Sequence, residues 1–406
     1  MTLGALLGIV AAASLLLTGI SAAPRGSARV VAIGDVHGDA RSLALILERA
    51  GLIDVQRRWA GGRAVLVQTG DSLDRGPDVL AVLDLLMSLE RQAKEAGGEA
   101  VILMGNHEAM NAIGDLRYVA PAAFASFADA KSEKRRESAW RAYARLAEER
   151  RRTFAQISDA FPVPPIYQPP PREAWMQAHP PGFIEYRAAF AADGRYGRWI
   201  RRRPVVALVG TTVFVHGGLH PDVLPKKLDD LNDRARSELA RFDRMRAVML
   251  RDSLALPWFS YSELVEAGRA ELLRVAAMSG DDRGTVDRHE LAALQEIGGW
   301  SVIAENGPLW FRGFASWTQE EGSPLVDRLQ QQLGPVRFVV GHTQPETREV
   351  TARFDNRVFL IDTGLSSVYD GGRPSALEIQ DGRYVALTLQ NQKVLVGAAA
   401  APGALD

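Results

Sequence analysis

Five short apolar runs in this chain each end on a motif that carries Asp, Asn or His. Ala28-Arg29-Val30-Val31-Ala32-Ile33 leads into Gly34-Asp35-Val36-His37-Gly38. Ala64-Val65-Leu66-Val67 leads to Gly70-Asp71-Ser72-Leu73-Asp74-Arg75-Gly76, and Ala100-Val101-Ile102-Leu103-Met104 to Gly105-Asn106-His107-Glu108. Thr211-Thr212-Val213-Phe214-Val215 stops at His216-Gly217-Gly218, and Val336-Arg337-Phe338-Val339-Val340 at Gly341-His342-Thr343. Runs this short and β-branched predict strands buried on both faces. Between the first three runs, Leu43, Ile46, Leu47 and Ala50, then Val79, Val82, Leu83 and Leu86, recur at helical spacing. Pro77 marks a first turn and Gly97-Gly98 a stop. Strands alternating with helices predict an α/β fold, in which loops at the carboxyl ends of strands gather at one edge. Such an edge would bring the five motifs together.

The rest of the chain is organised around these runs. Residues 115–203 and 228–297 break the strand–helix rhythm and are expected to be helical insertions in one domain spanning 28–390. The first is basic: from Lys131 to Arg152 there are nine Lys/Arg against four Glu. It also carries a proline-rich stretch, Phe161 to Pro171. Residues 1–23 are apolar and end in Ser21-Ala22-Ala23, which predicts an export signal, or an uncleaved membrane anchor. The Ala-rich end, 391–406, is expected to be disordered. A net charge of -1 argues against a general nucleic-acid binder. With no cysteine in 406 residues, any metal must sit on oxygen and nitrogen. Asp281-Asp282-Arg283-Gly284-Thr285-Val286-Asp287 lacks the ligand and glycine spacing of a calcium loop.

The motifs supply the donors that a pair of metal ions needs. Two cations about 3.5–4 Å apart neutralise a phosphate and turn a bridging water into hydroxide near neutral pH. Asp35 and His37, two positions apart after a strand, can serve one ion. Asp71 is the natural shared carboxylate, and Asn106, His216 and His342 complete the second. Imidazole mixed with oxygen suits manganese, iron or zinc. Arg75 offers a planar fork for two phosphate oxygens. His107, directly after Asn106, can protonate a leaving alkoxide if Asp74 keeps it charged. Taken singly each motif has an ordinary explanation: a self-capped loop, a helix cap, a structural histidine. Taken together they do not, because four of the seven histidines fall in these motifs.

From Val30 to Asp362 the pattern resembles the phosphoprotein phosphatase branch of the calcineurin-like metallophosphoesterases, and within it the Shewanella-like phosphatases. The resemblance rests on the first four motifs, with Leu219 after the fourth, and on Leu309-Trp310-Phe311-Arg312-Gly313. It implies a two-sheet β-sandwich flanked by helices. It also implies metal ligands at Asp35, His37, Asp71, Asn106, His216 and His342, and a general acid at His107 oriented by Asp74. Phosphate contacts fall to Arg75, Asn106 and a second arginine placed at Arg312. His220, where the eukaryotic branch has serine, and Gly341-His342-Thr343, in place of Arg-Ala-His, depart from the pattern. The expected activity is hydrolysis of phosphate monoesters on proteins, at Ser, Thr or Tyr. Alternatives are a dinucleoside polyphosphate hydrolase, with Trp310, Trp317 and Tyr369 stacking a base, and a phosphoprotein-binding scaffold. No docking motif for a regulatory subunit is present in the sequence.

Overall fold

The structure is a computed structural model that describes residues 28–157, 163–278 and 287–397. The export or anchor segment, Phe161 and most of the rejected calcium loop lie outside these residues. Asp287, the last residue of that loop, caps a helix by accepting from Glu290 N. No described helix is long and apolar enough to cross a membrane.

Among the described residues, eleven strands form two mixed sheets. The first joins β1 (Val30–Ile33), β2 (Val65–Gln68) and β3 (Glu99–Ile102) in parallel, and extends through β9 (Ser375–Gln380), β10 (Arg383–Thr388) and β11 (Gln392–Val396) in antiparallel order. The second joins β5 (Thr212–Val215), β6 (Arg337–Val340) and β8 (Val358–Leu360) in parallel, with β4 (Val206–Val209) and β7 (Thr351–Arg353) antiparallel at its edges. Each of the five predicted runs holds a strand, although β3 ends at Ile102, two residues before the third run does.

Side-chain alternation explains why these runs are apolar at nearly every position. Val30, Ala32, Val65, Val67, Phe214, Val339 and Phe359 face inward and form one core between the sheets. Val31, Ile33, Leu66, Val213, Val215, Phe338 and Val340 face outward into a second core under the helices. A strand covered on both faces has no polar side to show. Phe359 and Tyr384 stack across the sheets at 4.6 Å, and the Tyr384 hydroxyl lies 2.9 Å from Thr212 Oγ1.

Helices α1 (Ala40–Arg49), α2 (Val79–Glu95) and α3 (Asn106–Ile113) follow the first three strands. Between β3 and β4 lie α4 (Pro121–Ala125), α5 (Ser132–Ala155), α6 (Arg172–Ala178), α7 (Phe183–Phe190) and α8 (Arg195–Ile200). Between β5 and β6 lie α9 (Asp229–Arg251), α10 (Tyr261–Ala277), α11 (Arg288–Gln295), α12 (Gly313–Ser316) and α13 (Gln319–Leu333). The two helical stretches pack on each other. Glu271, 1 % exposed, binds Arg150 from α5 and Arg274 from its own helix. Tyr167 OH donates to Leu254 O at 3.0 Å.

One expectation is corrected. The segment expected to be disordered from 391 begins with β11, which pairs with the open edge of β10 through residues 392–396. Val394, Leu395 and Val396 favour extended backbone, and the alanines that dominate the composition come after them.

The inter-sheet stack generates a stability prediction. Phe359→Ala removes a fully buried ring and is expected to destabilise the fold by roughly 3–5 kcal/mol. Urea unfolding of the two proteins measures it; a change under about 1 kcal/mol would show that the sheets do not depend on this contact.

Candidate metal centre

The carboxyl ends of β1, β2, β3, β5, β6 and β8 meet at one edge of the sandwich, and backbone bonds tie the loops together there. Val36 N and His37 N both donate to Asp71 O at 2.9 Å. Gly341 N donates to His216 O at 2.9 Å, and His342 N to Asp35 Oδ1 at 3.0 Å. Two glycines permit this approach: a Cβ on Gly105 would strike the Asp71 side chain, and one on Gly341 the Asp35 carboxylate. His37, Asp71, Asp74, Arg75 and His342 all have positive φ, between 47° and 65°. Such backbone costs on the order of 1–3 kcal/mol per residue, and persists where surrounding contacts over-determine it.

The donors surround Asp71. Its Oδ2 lies 3.3 Å from His216 Nε2, 3.7 Å from His37 Nε2 and 3.8 Å from His107 Nε2. Asp35 Oδ2 is 3.8 Å from His37 Nε2. Two rings have their tautomers set from behind: His37 Nδ1 donates to Leu73 O at 3.0 Å and His216 Nδ1 to Thr69 O at 2.9 Å. Their Nε2 lone pairs therefore face carboxylate oxygens, and His216 Nε2 also faces Asn106 Oδ1 at 2.8 Å. His342 Nε2 is buried with no partner. Acceptors that face acceptors in a buried site call for a cation between them.

The electrostatics agree. Burial, and then His107 and Arg75 against Asp71, bring the His37 imidazole down to about 3, so it stays neutral. Burial takes His342 down to about 2. Burial, then Asp362 and Asp71, push the Asp35 carboxyl well above the usual range. Neutral imidazoles beside crowded carboxylates are what divalent ions require. His37, Asp71 and His107 form one group with the spacing to hold an ion, and Asp71, His216 and His342 a second.

Asp362 is a site residue that the sequence reading passed over. It follows β8, is 2 % exposed, and burial pushes its carboxyl up to about 6. The apolar run Val358 to Ile361 ending on an acid is the same signal as in the other loops, without the intervening glycine. Glu108 was likewise given no role. Its buried carboxylate accepts from Asp71 N at 2.7 Å and from Gly105 N and Ser72 N at 2.8 Å, clamping two motif loops together.

A chain of hydrogen bonds stands behind His107. Its Nδ1 lies 2.7 Å from Asp74 Oδ2. Asn111 Nδ2 donates to Asp74 Oδ1 at 3.0 Å, and Tyr186 OH from α7 donates to Asn111 Oδ1 at 2.7 Å. Burial alone would lower His107, but Asp71 and Asp74 outweigh it and hold the ring above its ordinary value.

A cavity of about 390 Å³ opens over this centre. All ten sequence-predicted residues line it except His216 and Asp74, which lie behind its wall. Arg75 is exposed at the mouth between the rings of Tyr118 and Tyr369, 4.9 and 5.8 Å from their centroids. Arg312 reaches the other side, donating to Thr343 Oγ1 at 3.0 Å. Trp310 and Tyr369 also line this cavity, whereas Trp317 lines a larger groove beside it. His220 is outside both and packs edge-on against Phe311 and Trp317.

Comparison with known proteins adds a family to this geometry. The family described as calcineurin-like phosphoesterase matches residues 28–346. Shewanella-like protein phosphatase 2 of Arabidopsis thaliana is 35 % identical over 369 residues, 89 % of this chain and 78 % of that protein. Shewanella-like protein phosphatase 1 of Plasmodium berghei is 23 % identical, over 90 % of this chain and 75 % of its own. Among solved structures, the cold-active protein tyrosine phosphatase of a psychrophilic Shewanella has a TM-score of 0.56 at 23 % identity, covering 91 % of this chain and 81 % of that one.

The clamp at Glu108 generates a prediction. Glu108→Gln replaces one acceptor oxygen by a donor that faces backbone N–H groups. It is expected to cost about 1–3 kcal/mol of stability and to weaken metal binding by roughly 10–100-fold as Asp71 moves. Calorimetric metal titration of the stripped protein checks this; unchanged affinity would show that Glu108 does not position Asp71.

Proposed function

The chain belongs to the calcineurin-like phosphoesterase family and is a metal-dependent hydrolase of phosphate esters; on that premise we propose that its substrates are phosphorylated proteins, with phosphotyrosine favoured. The observation that carries the reading is the convergence of Asp35, His37, Asp71, Asn106, His216 and His342 under a cavity whose rim holds two arginines. These six residues would hold two metal ions, and Asp362 stands beside Asp35 as a further carboxylate. The mixed imidazole and oxygen set suits manganese, iron or zinc. When bound, the ions supply charge neutralisation and an activated water.

The chain's own residues do the rest. Arg75 and Arg312 grip phosphate oxygens from two sides of the cavity, aided by the Asn106 amide. Tyr118 and Tyr369 flank the Arg75 guanidinium and restrict where its fork can point. His107 holds a proton for the leaving oxygen, with Asp74 fixing the ring and keeping it charged. The aromatic rim of Tyr118, Tyr369 and Trp310 supports an aryl leaving group. The adjoining groove, about 970 Å³ and lined by Tyr261, Ile303, Phe311 and Trp317 among others, leaves room for flanking peptide.

The test compares one peptide phosphorylated at Tyr or at Ser. Turnover requires metal, is abolished by chelation and is restored by manganese; kcat/KM is higher for phosphotyrosine. Faster turnover of phosphoserine overturns the preference, and faster turnover of diadenosine tetraphosphate than of either peptide overturns the protein-phosphatase reading in favour of a nucleotide hydrolase.

A pH prediction follows from His107. Its value is raised, so the protonated acid survives above the ordinary imidazole range and is lost only as pH climbs through the raised value. Asp74→Asn removes one of the two charges that raise it, Asp71 being the other, and is expected to move the alkaline limb of kcat to lower pH. His107→Asn is expected to cost about 10²–10⁴-fold on an alkyl phosphate and much less on p-nitrophenyl phosphate, whose leaving group needs little protonation. Equal losses on both substrates would remove the acid role.

A further inference from the structure

The helical insertions enclose a second cavity, separate from the cleft. It measures about 390 Å³ and lies between α7, the turn that follows it, and the C-terminal half of α9. Arg187 from α7 and Arg246 from α9 both line it. Arg187 is 6 % exposed. Its Nη2 donates to Phe259 O at 2.8 Å, but its Nε–H is buried without an acceptor. Arg246 repeats the arrangement: Nη2 donates to Pro257 O, and the Nε–H is buried without an acceptor.

The acids around this pair are engaged elsewhere or stand at the edge. Asp243 is held by both Nε and Nη2 of Arg201, at 2.7 and 2.8 Å. Glu263 accepts from Ser260 N and Oγ at the start of α10. Asp193 lines the cavity from an exposed position. Among the described residues neither Arg187 nor Arg246 has an ion-pair partner. Burial, and next the charge of Arg246, pull the Arg187 guanidinium down to about 9. Two cations without ion-pair partners in one wall are unfavourable, and a single anion between them would offset both charges. The remaining wall is apolar, formed in part by Leu250, Pro257 and Trp258.

We infer that this cavity binds a small organic anion, its carboxylate, sulfonate or phosphate head held between Arg187 and Arg246 and its apolar body against Leu250, Pro257 and Trp258. The site shares no residue with the metal cleft but is linked to it through α7 and α3. The Arg187 guanidinium packs on Gly114, the C-cap of α3, and the neighbouring Tyr186 ends the hydrogen-bond chain that reaches His107.

Calorimetric titration of the intact protein with benzenesulfonate tests the inference. This probe has the required head and ring and carries no phosphate ester. One molecule is expected to bind per chain. Affinity should fall by about tenfold or more in Arg246→Gln, where a charge-assisted pair is lost. It should fall comparably in Leu250→Trp, which fills the apolar end and leaves both arginines in place. Arg75→Ala should bind as the wild type does, and neutral benzenesulfonamide should bind at least about tenfold more weakly, since it lacks the charge. Binding lost in Arg75→Ala but kept in Arg246→Gln would put the sulfonate in the catalytic cleft and overturn the site. Indifference to Leu250→Trp, equal binding of the sulfonamide, or no binding up to millimolar concentration would overturn it as well, leaving a cavity that holds only water.

Discussion

Crowding of acceptors around Asp71 is the constraint on which the rest of the structure depends. Asp35, Asp71 and Asp362 are each buried within one small volume, together with neutral imidazoles whose proton-bearing nitrogens are turned away toward backbone carbonyls. Without compensation such a cluster repels itself and forfeits hydration. Cations resolve this, so the fold and the metal requirement share one cause. The energy released on binding them would stabilise the loops that carry the donors. The positive-φ backbone at His37, Asp71 and His342 fits that view. Strain on the order of 1–3 kcal/mol per residue is small beside the pull of an ion on three or more donors.

Positioning is done by the sandwich. The inter-sheet core sets the spacing between the ends of β1 and β2 on one side and β5, β6 and β8 on the other. Gly34 lies so near Ile361 O that any side chain there would collide, so the two sheets touch at the rim of the site. Loops this short have little freedom of their own. Their side chains point where the strands aim them, and the bonds from Val36, His37 and Gly341 to neighbouring loops remove what freedom is left.

The strand ends were legible because both halves of the signal are local: a β-branched run, then a small residue and a ligand. That pattern locates Asp35, Asp71, Asn106 and His342 and the parallel strands that carry them, whereas His216 follows its run directly with its glycines after it. Asp362 escaped because no glycine adjoins it on either side. Asn111 lies four residues after His107, on the same face of α3, so helical spacing could have found it. Tyr186 could not be found that way, because only the packing of α7 against α3 brings its hydroxyl to Asn111. The rim tyrosines, Tyr118 and Tyr369, are single aromatics without a local pattern. The β9–β10 hairpin did have a signal, the Asp381-Gly382 turn between alternating apolar residues, but it lies far from the motifs that organise the reading. The start of the tail was misjudged because composition averaged over it, whereas strand pairing depends on the few residues at the sheet edge.

The two parts of the site therefore rest on different parts of the chain. The metal donors come from the sandwich, through loops attached directly to strands. The proton donor is supported from the insertions: Tyr186 holds Asn111, Asn111 holds Asp74, and Asp74 holds His107. Tyr261 N donates to Gly114 O and Arg187 packs on the same glycine, so α3 is gripped at its far end by α7 and α10. A movement of these helices would reach Asp74 and His107 through hydrogen bonds, and Asn106 and Glu108 through α3 itself, while His216, His342 and Asp35 stay on their strands. The insertions are thus placed to modulate the step that depends on the leaving group, through the helix that also carries Asn106 and the clamp on Asp71.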